Sequence, residues 1–127
     1  MEGDKEEGAW HIEKAYKTDS KLVSVANNFA WVLAHQEEPD LPRALEIIED
    51  VLKLVPNDPR FLDTHGTVLA LMKRDEEAIT PLEQALAGLK NKLPIHQKLE
   101  DIYRRLGKDK IARLHRIEAR KLLEKSQ

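Results

Sequence analysis

The sequence predicts an all-α protein, an α/α superhelix built from antiparallel helix pairs. Three observations lead to this fold. Charged residues make up 35% of the 127 residues and aromatic residues only 5%, a composition that favours helices over a sandwich or barrel. Apolar residues recur at spacings of three and four along most of the chain, as on one face of a helix. Small and large apolar residues also recur 34 positions apart, which indicates a repeated structural unit.

The 34-residue period is clearest in the second half of each unit. Small residues recur where two helices must approach closely, and larger apolar residues recur one turn later. The period therefore predicts a repeated helix–turn–helix unit. The positions related by 34 are Ala44, Ala78 and Ala112, then Ile48 and Leu82, then Val51, Ala85 and Ala119, and finally Leu69 and Tyr103.

Turn signals divide the period into helices. The segments EEPDLP (37–42), VPNDP (55–59) and KRDEE (73–77) interrupt the apolar pattern. Asp40, Asp58 and Asp75 are each expected to cap the helix that follows, because a carboxylate accepts a free backbone N–H there. Gly107 is expected to end a helix in the left-handed conformation.

The boundaries predict a single domain over residues 1–127. A leading helix over 6–17 is expected because Ile12 and Ala15 lie 36 positions before Ile48 and Val51, and the longer 37–42 turn accounts for the two extra residues. Three helix pairs should follow, over 22–56, 57–91 and 92–126.

At these positions the chain resembles the tetratricopeptide repeat (TPR) family, whose 34-residue unit is two antiparallel helices. The first helix of that family carries a large residue, then a Leu-Gly or Leu-Ala pair, then Tyr or Leu. The matching residues are Ala26, Phe29-Ala30 and Leu33, then Leu62, His65-Gly66 and Leu69, then His96, Leu99-Glu100 and Tyr103.

The second helix of the family carries Ala, a large apolar residue, Ala and a closing Pro. The first repeat matches at Ala44, Ile48, Val51 and Pro56. The second matches at Ala78, Leu82 and Ala85, with Lys90 in place of the closing proline. The third matches at Ala112 and Ala119, with Arg116 in place of the large apolar residue. The resemblance covers nearly the whole chain. Because Glu100 and Arg116 put charge where a repeat packs on its neighbour, stacking is expected to end in the third repeat, with the last helix as its cap.

The resemblance implies a concave groove, lined by the first helices, that holds an extended or helical peptide. In this register Ala26, Phe29, Ala30 and Leu33 belong to the core and the opposite stripe faces the groove. Two interpretations of Trp31 stay open, a groove anchor or a residue packed on a neighbouring helix. The predicted groove residues are Asn27, Trp31, His35, Asp63, Thr67, Leu71, Gln97, Asp101, Arg104 and Arg105.

Charge limits the choice of partner. Residues 1–87 carry 9 Lys/Arg against 18 Asp/Glu, and residues 88–127 carry 12 against 5. The basic end offers only Tyr103 for base stacking, which disfavours nucleic acid. Family members that clamp the acidic C-terminus of chaperones use groove cations, whereas Asp63 and Asp101 here would repel a carboxylate. A protein or peptide partner is expected. The alternatives are homo-oligomerisation through the oppositely charged ends, or a role as one segment of a longer repeat scaffold.

No pattern of catalytic or cofactor-binding residues is present. Cysteine is absent, and the chain has no Gly-rich phosphate-binding motif and no GxSxG. Neither His96 nor His115 has a second histidine at i+3 or i+4, as a helical metal pair such as HExxH requires. We therefore expect a non-enzymatic protein without cofactor or metal. A cytoplasmic location is expected, since the first residues are polar and no apolar run approaches the roughly 20 residues of a membrane span.

Overall fold

The computed structural model describes residues 21–126, and its helices stack in pairs. Within each pair the helices pack closely, and each pair also contacts the next. The predicted all-α superhelix of antiparallel pairs is confirmed over these residues. The leading helix predicted over 6–17 lies outside them. In chain order the helices are α1 (Lys21–His35), α2 (Leu41–Leu54), α3 (Pro59–Leu71), α4 (Asp75–Gly88), α5 (Leu93–Arg105) and α6 (Asp109–Lys125).

Two of the three predicted N-caps are confirmed. The carboxylate of Asp40 accepts a hydrogen bond from the backbone N–H of Arg43 at 3.2 Å, and that of Asp58 accepts one from Arg60 at 2.9 Å. The prediction for Asp75 is wrong, because α4 begins at Asp75 itself and Arg74 is the N-cap residue. The Asp75 carboxylate instead binds the Arg105 guanidinium through two hydrogen bonds of 2.8 and 3.0 Å. A bidentate, charge-assisted pair is stronger than a single capping bond.

The small residues of the repeat lie where helices touch. Ala44, Ala78 and Ala112 are all buried. A Cβ atom added to Gly66 would lie 2.5 Å from Cγ of Leu82, so only glycine lets α3 and α4 approach this closely. Large apolar side chains fill the space between the pairs, and Ile48 and Leu82 are fully buried.

The two turns after α3 and α5 have the same geometry. Gly107 has a φ of +75°, as predicted, and Lys73, 34 positions earlier, has a φ of +65°. In both turns a backbone N–H donates a hydrogen bond to a carbonyl oxygen in the last turn of the helix. The Lys108 N–H donates to the Tyr103 carbonyl at 2.8 Å, and the Arg74 N–H donates to the Leu69 carbonyl at 2.9 Å. Lysine adopts this left-handed conformation at a cost that glycine avoids.

Phe29 departs from the predicted core. Ala30 and Leu33 are buried as expected, but the Phe29 side chain is 45% exposed and has the Arg43 guanidinium 5.9 Å from its ring centre. The position 36 residues later, His65, is half-buried in α3. The helix α3 packs against the preceding helix α2.

The outer surface of α6 is only partly the polar cap that the sequence predicts. Arg116 is exposed, in agreement with the prediction. On another side of the same helix, however, Ile111, Leu114 and Ile117 are exposed, with Leu114 at 62%. This exposed apolar side of α6 is separate from the face of Arg116, for which the sequence predicts a cap.

Candidate interaction site in the groove of α1, α3 and α5

A hydrogen-bonded cluster joins α3 to α5 on the face of the first helices. The Lys98 ammonium donates to Oδ1 of Asp63 and to Oγ1 of Thr67, both at 2.9 Å. The Thr67 hydroxyl then donates to the same Asp63 oxygen at 3.1 Å. Because the ion pair is partly shielded from solvent and each group has two partners, the cluster holds Lys98 in one direction.

Trp31 on α1 lies beside this cluster. The Lys98 ammonium is 5.0 Å from the centre of the indole ring, a cation–π distance. Trp31 also stacks on His35, with ring centres 4.0 Å apart, and the His35 Nδ1–H donates to the Trp31 carbonyl oxygen at 2.8 Å. The Trp31 side chain nevertheless remains 36% exposed. It is thus held by its own neighbours and still presents part of the ring to solvent.

An open pocket of about 270 Å³ adjoins the cluster. Its apolar wall contains Ala70, Leu71 and Ile102, and its polar rim carries charges of both signs. Such a pocket suits an apolar side chain whose neighbouring polar groups meet the rim. Its lining residues are His35, Thr67, Ala70, Leu71, Lys73, Lys98, Asp101, Ile102 and Arg105.

Two of the three lysine and arginine side chains on the rim, Lys98 and Arg105, are tied to carboxylates. The hydrogen bond from Arg105 lowers the pKa of Asp75, with a smaller opposing effect of burial, and the same bond raises the pKa of Arg105. Lys98 is likewise paired with Asp63. A carboxylate ligand would have to compete with these pairs, so the rim favours backbone amides and mixed polar groups over a lone anion.

The predicted groove residues fall into two groups in the structure. Seven of them line the pocket or belong to the adjoining cluster, namely His35, Thr67, Leu71, Asp101 and Arg105 around the pocket and Trp31 and Asp63 beside Lys98.

The other three lie apart from the pocket. Asn27 is only 9% exposed, and its side-chain oxygen has no hydrogen-bond partner among residues 21–126. Gln97 is exposed, and Arg104 pairs with Glu100 on its own helix.

Four residues that line the pocket are absent from the predicted groove residues, namely the apolar Ala70 and Ile102 and the charged Lys73 and Lys98. A helical register places Lys98 beside Gln97, but nothing in α5 alone indicates its bond to Asp63, 35 residues earlier. Lys73 reaches the pocket because its backbone turns in the left-handed conformation, for which a lysine gives no sequence signal.

A second polar cluster connects α4, α5 and α6 at the C-terminal end. Nε2 of His115 lies 3.3 Å from the Glu83 carboxylate, which also accepts the Tyr103 hydroxyl at 3.1 Å. Nδ1 of His115 is 2.9 Å from Nδ1 of His96. The two imidazoles share this bond when one Nδ1 carries a hydrogen and the other accepts it. This hydrogen-bond chain is a packing contact between helices.

Neither cluster has the arrangement of a metal site. Within residues 21–126 no group of three or more His, Asp or Glu side chains is placed to hold a metal ion. In the same part of the chain, no helix combines the length and the apolar character required to cross a membrane.

The stacked helix pairs and the lined groove define a TPR-like helical-repeat fold. No family model matches the sequence, and no curated protein matches it. Among solved structures the chain is similar to an arginine-to-glutamate mutant of MamA, a TPR-containing protein. The TM-score is 0.74 at 20% sequence identity, and the alignment covers 92% of this chain and 84% of that chain. At this identity the likeness supports the fold alone.

Proposed function

We propose that this chain is a protein-interaction module that binds a peptide or a partner helix in the groove of α1, α3 and α5. The observation that carries the proposal is the position of Trp31, part-exposed and held by Lys98, at the edge of the pocket. Tryptophan is enriched among residues that dominate binding energy, and a pre-positioned ring loses little conformational entropy on binding.

The groove chemistry suggests the kind of ligand. An aliphatic side chain would enter against Leu71 and Ile102, while the main chain beside it would meet Asp101 and the edge of the Trp31 ring. Amide groups of the ligand can both donate and accept, which suits a rim of mixed charge. The TPR-like fold, whose concave surface is extended, supports a protein partner over a small molecule.

Selection from a random peptide display library, followed by affinity measurement on the full chain, tests the proposal. Trp31→Ala is expected to weaken a selected peptide by about 2 kcal/mol, roughly thirtyfold, as for a central hot-spot residue. Lys98→Met should weaken it as well, because the indole loses its support. Lys53→Met is the matched control, because the Lys53 side chain is exposed on α2, and it should leave the affinity unchanged.

Two results would overturn the proposal. The first is a set of selected peptides whose affinity is the same for wild type, Trp31→Ala and Lys98→Met. The second is the absence of any peptide bound above background while circular dichroism confirms a folded chain.

Self-assembly is a second candidate function, favoured by the opposite net charges of residues 1–87 and residues 88–127. Oppositely charged ends attract between copies, and this attraction weakens as salt screens it. Sedimentation at several protein and salt concentrations separates the two functions. A monomer that is insensitive to both concentration and salt would eliminate assembly and leave the groove as the functional surface.

A further inference from the structure

A row of apolar side chains on α6 faces solvent. It consists of Ile111, Leu114 and Ile117, which are all exposed and follow one another at intervals of three residues. Another side of the same helix carries Ala112 and Ala119, which are buried, and α6 packs on α5. We call the three exposed residues the α6 row. Adjacent exposed apolar side chains mark interaction surfaces, whereas single ones scattered over a surface do not.

The other second helices of the repeat carry polar side chains at these positions. The equivalent residues lie 34 positions earlier in α4 and 68 positions earlier in α2. The fold therefore does not require apolar side chains on this face, and the α6 row is a departure from the repeat that packing does not explain. The equivalent residues are Glu77, Thr80 and Glu83 in α4, and Arg43, Glu46 and Glu49 in α2.

Basic side chains border the α6 row. Lys110 lies one helical turn before Leu114, and Arg113 lies one turn before Ile117, so each shares the face of its apolar neighbour. Both are exposed. Over residues 109–125 the chain carries six Lys/Arg against three Asp/Glu. The surface around the α6 row is thus apolar at its centre and predominantly cationic at its edge.

From this arrangement we infer that the α6 row docks an amphipathic helix of another protein, a helix with apolar side chains along one face and acidic side chains beside them. The row extends over about 9 Å of α6, which matches roughly two turns of a partner helix. Carboxylates of the partner would face Lys110 and Arg113 while its apolar side chains cover Leu114. This surface is separate from the groove of α1, α3 and α5, so the inference does not depend on peptide binding there.

The described residues of a second copy do not offer such a helix. Apart from the α6 row, the exposed large apolar side chains within residues 21–126 lie on α1, at Leu71 in the groove and at Leu123 on α6. The helix α1 exposes Val25, at the position of the buried Phe61 in α3, but contains no aspartate or glutamate. Two α6 helices would bring like charges together. The cationic edge of the row therefore favours a different, acidic protein.

An anionic membrane is also less suitable than a helix. A flat bilayer that reached the α6 row would meet Glu118, one turn after Leu114, and the second helix beside it, where Glu77 occupies the position of Ile111. Glu83 of α4 is only 3.3 Å from His115 of α6, so these helices are close together. Carboxylates on the same face repel anionic lipid headgroups. A single helix lying along α6 avoids the carboxylates of α4.

Selection from a display library of helical peptides tests the inference on the full chain. Each peptide has a leucine row, with the flanking positions randomised among Glu, Gln and Lys. We expect glutamate to be enriched at these positions, and Leu114→Gln to weaken a selected peptide by about tenfold or more. Leu123→Gln is the matched control, because Leu123 is exposed on the opposite side of α6, about two and a half turns after Leu114. It should leave the affinity unchanged.

Charge reversal and the groove variant complete the peptide measurements. Arg113→Glu should weaken a glutamate-rich peptide, and Trp31→Ala should not, because the groove is a separate surface. Equal affinity for wild type, Leu114→Gln and Leu123→Gln would overturn the inference. Enrichment of lysine or glutamine at the flanking positions would also overturn it, as would a folded chain that selects no peptide.

Two further measurements address the other occupants. Sedimentation of wild type and Leu114→Gln over a range of concentrations should be the same. Self-association that Leu114→Gln abolishes would assign the row to a second copy and overturn the inference. Vesicles containing phosphatidylserine should not bind the chain. Vesicle binding that Leu114→Gln abolishes would assign the row to a membrane and overturn the inference in the same way.

Discussion

The two ends of the described superhelix differ in the residues at the stacking positions of the repeat. At the α1 end, the positions that are buried in α3 and α5 hold exposed apolar side chains. At the α6 end, the positions of Ile48 and Leu82 are continued by Arg116. One end has the chemistry of a surface that receives another helix, and the other has the chemistry of a surface that ends the stack.

The apolar and polar rows of α6 have also exchanged places around the helix axis relative to those of α2. Ile111, Leu114 and Ile117 are exposed, and the corresponding residues of α2, 68 positions earlier, are Arg43, Glu46 and Glu49. The row that is apolar in α2 has become arginine in α6, and the polar row has become apolar. A 34-residue period can therefore persist in the small residues, while the residue types at a few large positions determine whether another repeat can stack.

The largest expected effect on the free energy of unfolding distinguishes a buried stacking position from the arginine that occupies the same repeat position in α6. Leu82→Ala should lower the free energy of unfolding by about 3 kcal/mol, because the side chain is fully buried and its removal leaves a cavity. Arg116→Ala, at the same repeat position, should change it by less than about 0.5 kcal/mol. Urea unfolding measures both. Similar losses in the two variants would show that the arginine is part of a packed interface.

A smaller effect concerns the histidine contact at the α6 end. Burial lowers the pKa of His96 below the ordinary 6.5, and the neighbouring His115 and Lys92 lower it further, while Glu118 and Glu83 act in the opposite direction. Because the folded state disfavours the protonated form, this contribution to stability is complete above about pH 6.5 and is lost as the pH falls towards the lowered pKa.

We therefore expect the wild-type free energy of unfolding to fall more steeply between about pH 7 and 5 than that of His96→Phe, in which this group cannot titrate. His65, whose pKa is also lowered by burial, titrates in both proteins and provides the common background. Denaturant titrations at several pH values give the two slopes. Parallel curves would refute the role of His96.

The smallest expected effect compares the turns after α3 and α5. Lys73→Gly should raise the free energy of unfolding by about 1 kcal/mol, since it relieves a left-handed backbone, and Gly107→Ala should lower it by a similar amount. Lys73→Ala keeps the strain while removing the charge, so it should bring no such gain. A gain with alanine equal to that with glycine would attribute the effect to charge instead.

Much of the fold can be predicted from the sequence because residues of the same type recur at the same packing positions in each repeat. The alanines at 44, 78 and 112 mark the close approaches, and Asp40, Asp58 and Gly107 mark helix ends by local chemistry. Asp75 shows the limit of such reasoning. An aspartate in a turn fits a cap, and only the spatial neighbour Arg105 decides that it forms an ion pair between helices.

The candidate site was predictable in outline. The helical register indicates that Trp31, Thr67 and Asp101 share a face, and the structure places these residues at or beside one pocket. The register could not supply the bond between Lys98 and Asp63, which depends on the rotation of α5 against α3. It also misplaced Phe29, since a periodic pattern identifies an apolar face without identifying what covers it.

The most direct test of the contrast between the ends is to restore an apolar stacking row on α6. The variant carries Arg113→Leu, Arg116→Leu and Arg120→Leu, and a control carries glutamine at the same three positions. Sedimentation equilibrium of both, at matched concentrations, measures association. We predict that the leucine variant associates with increasing concentration while the glutamine variant sediments as the wild type does. Identical behaviour of the leucine and glutamine variants would contradict the claim that these arginines end the stack.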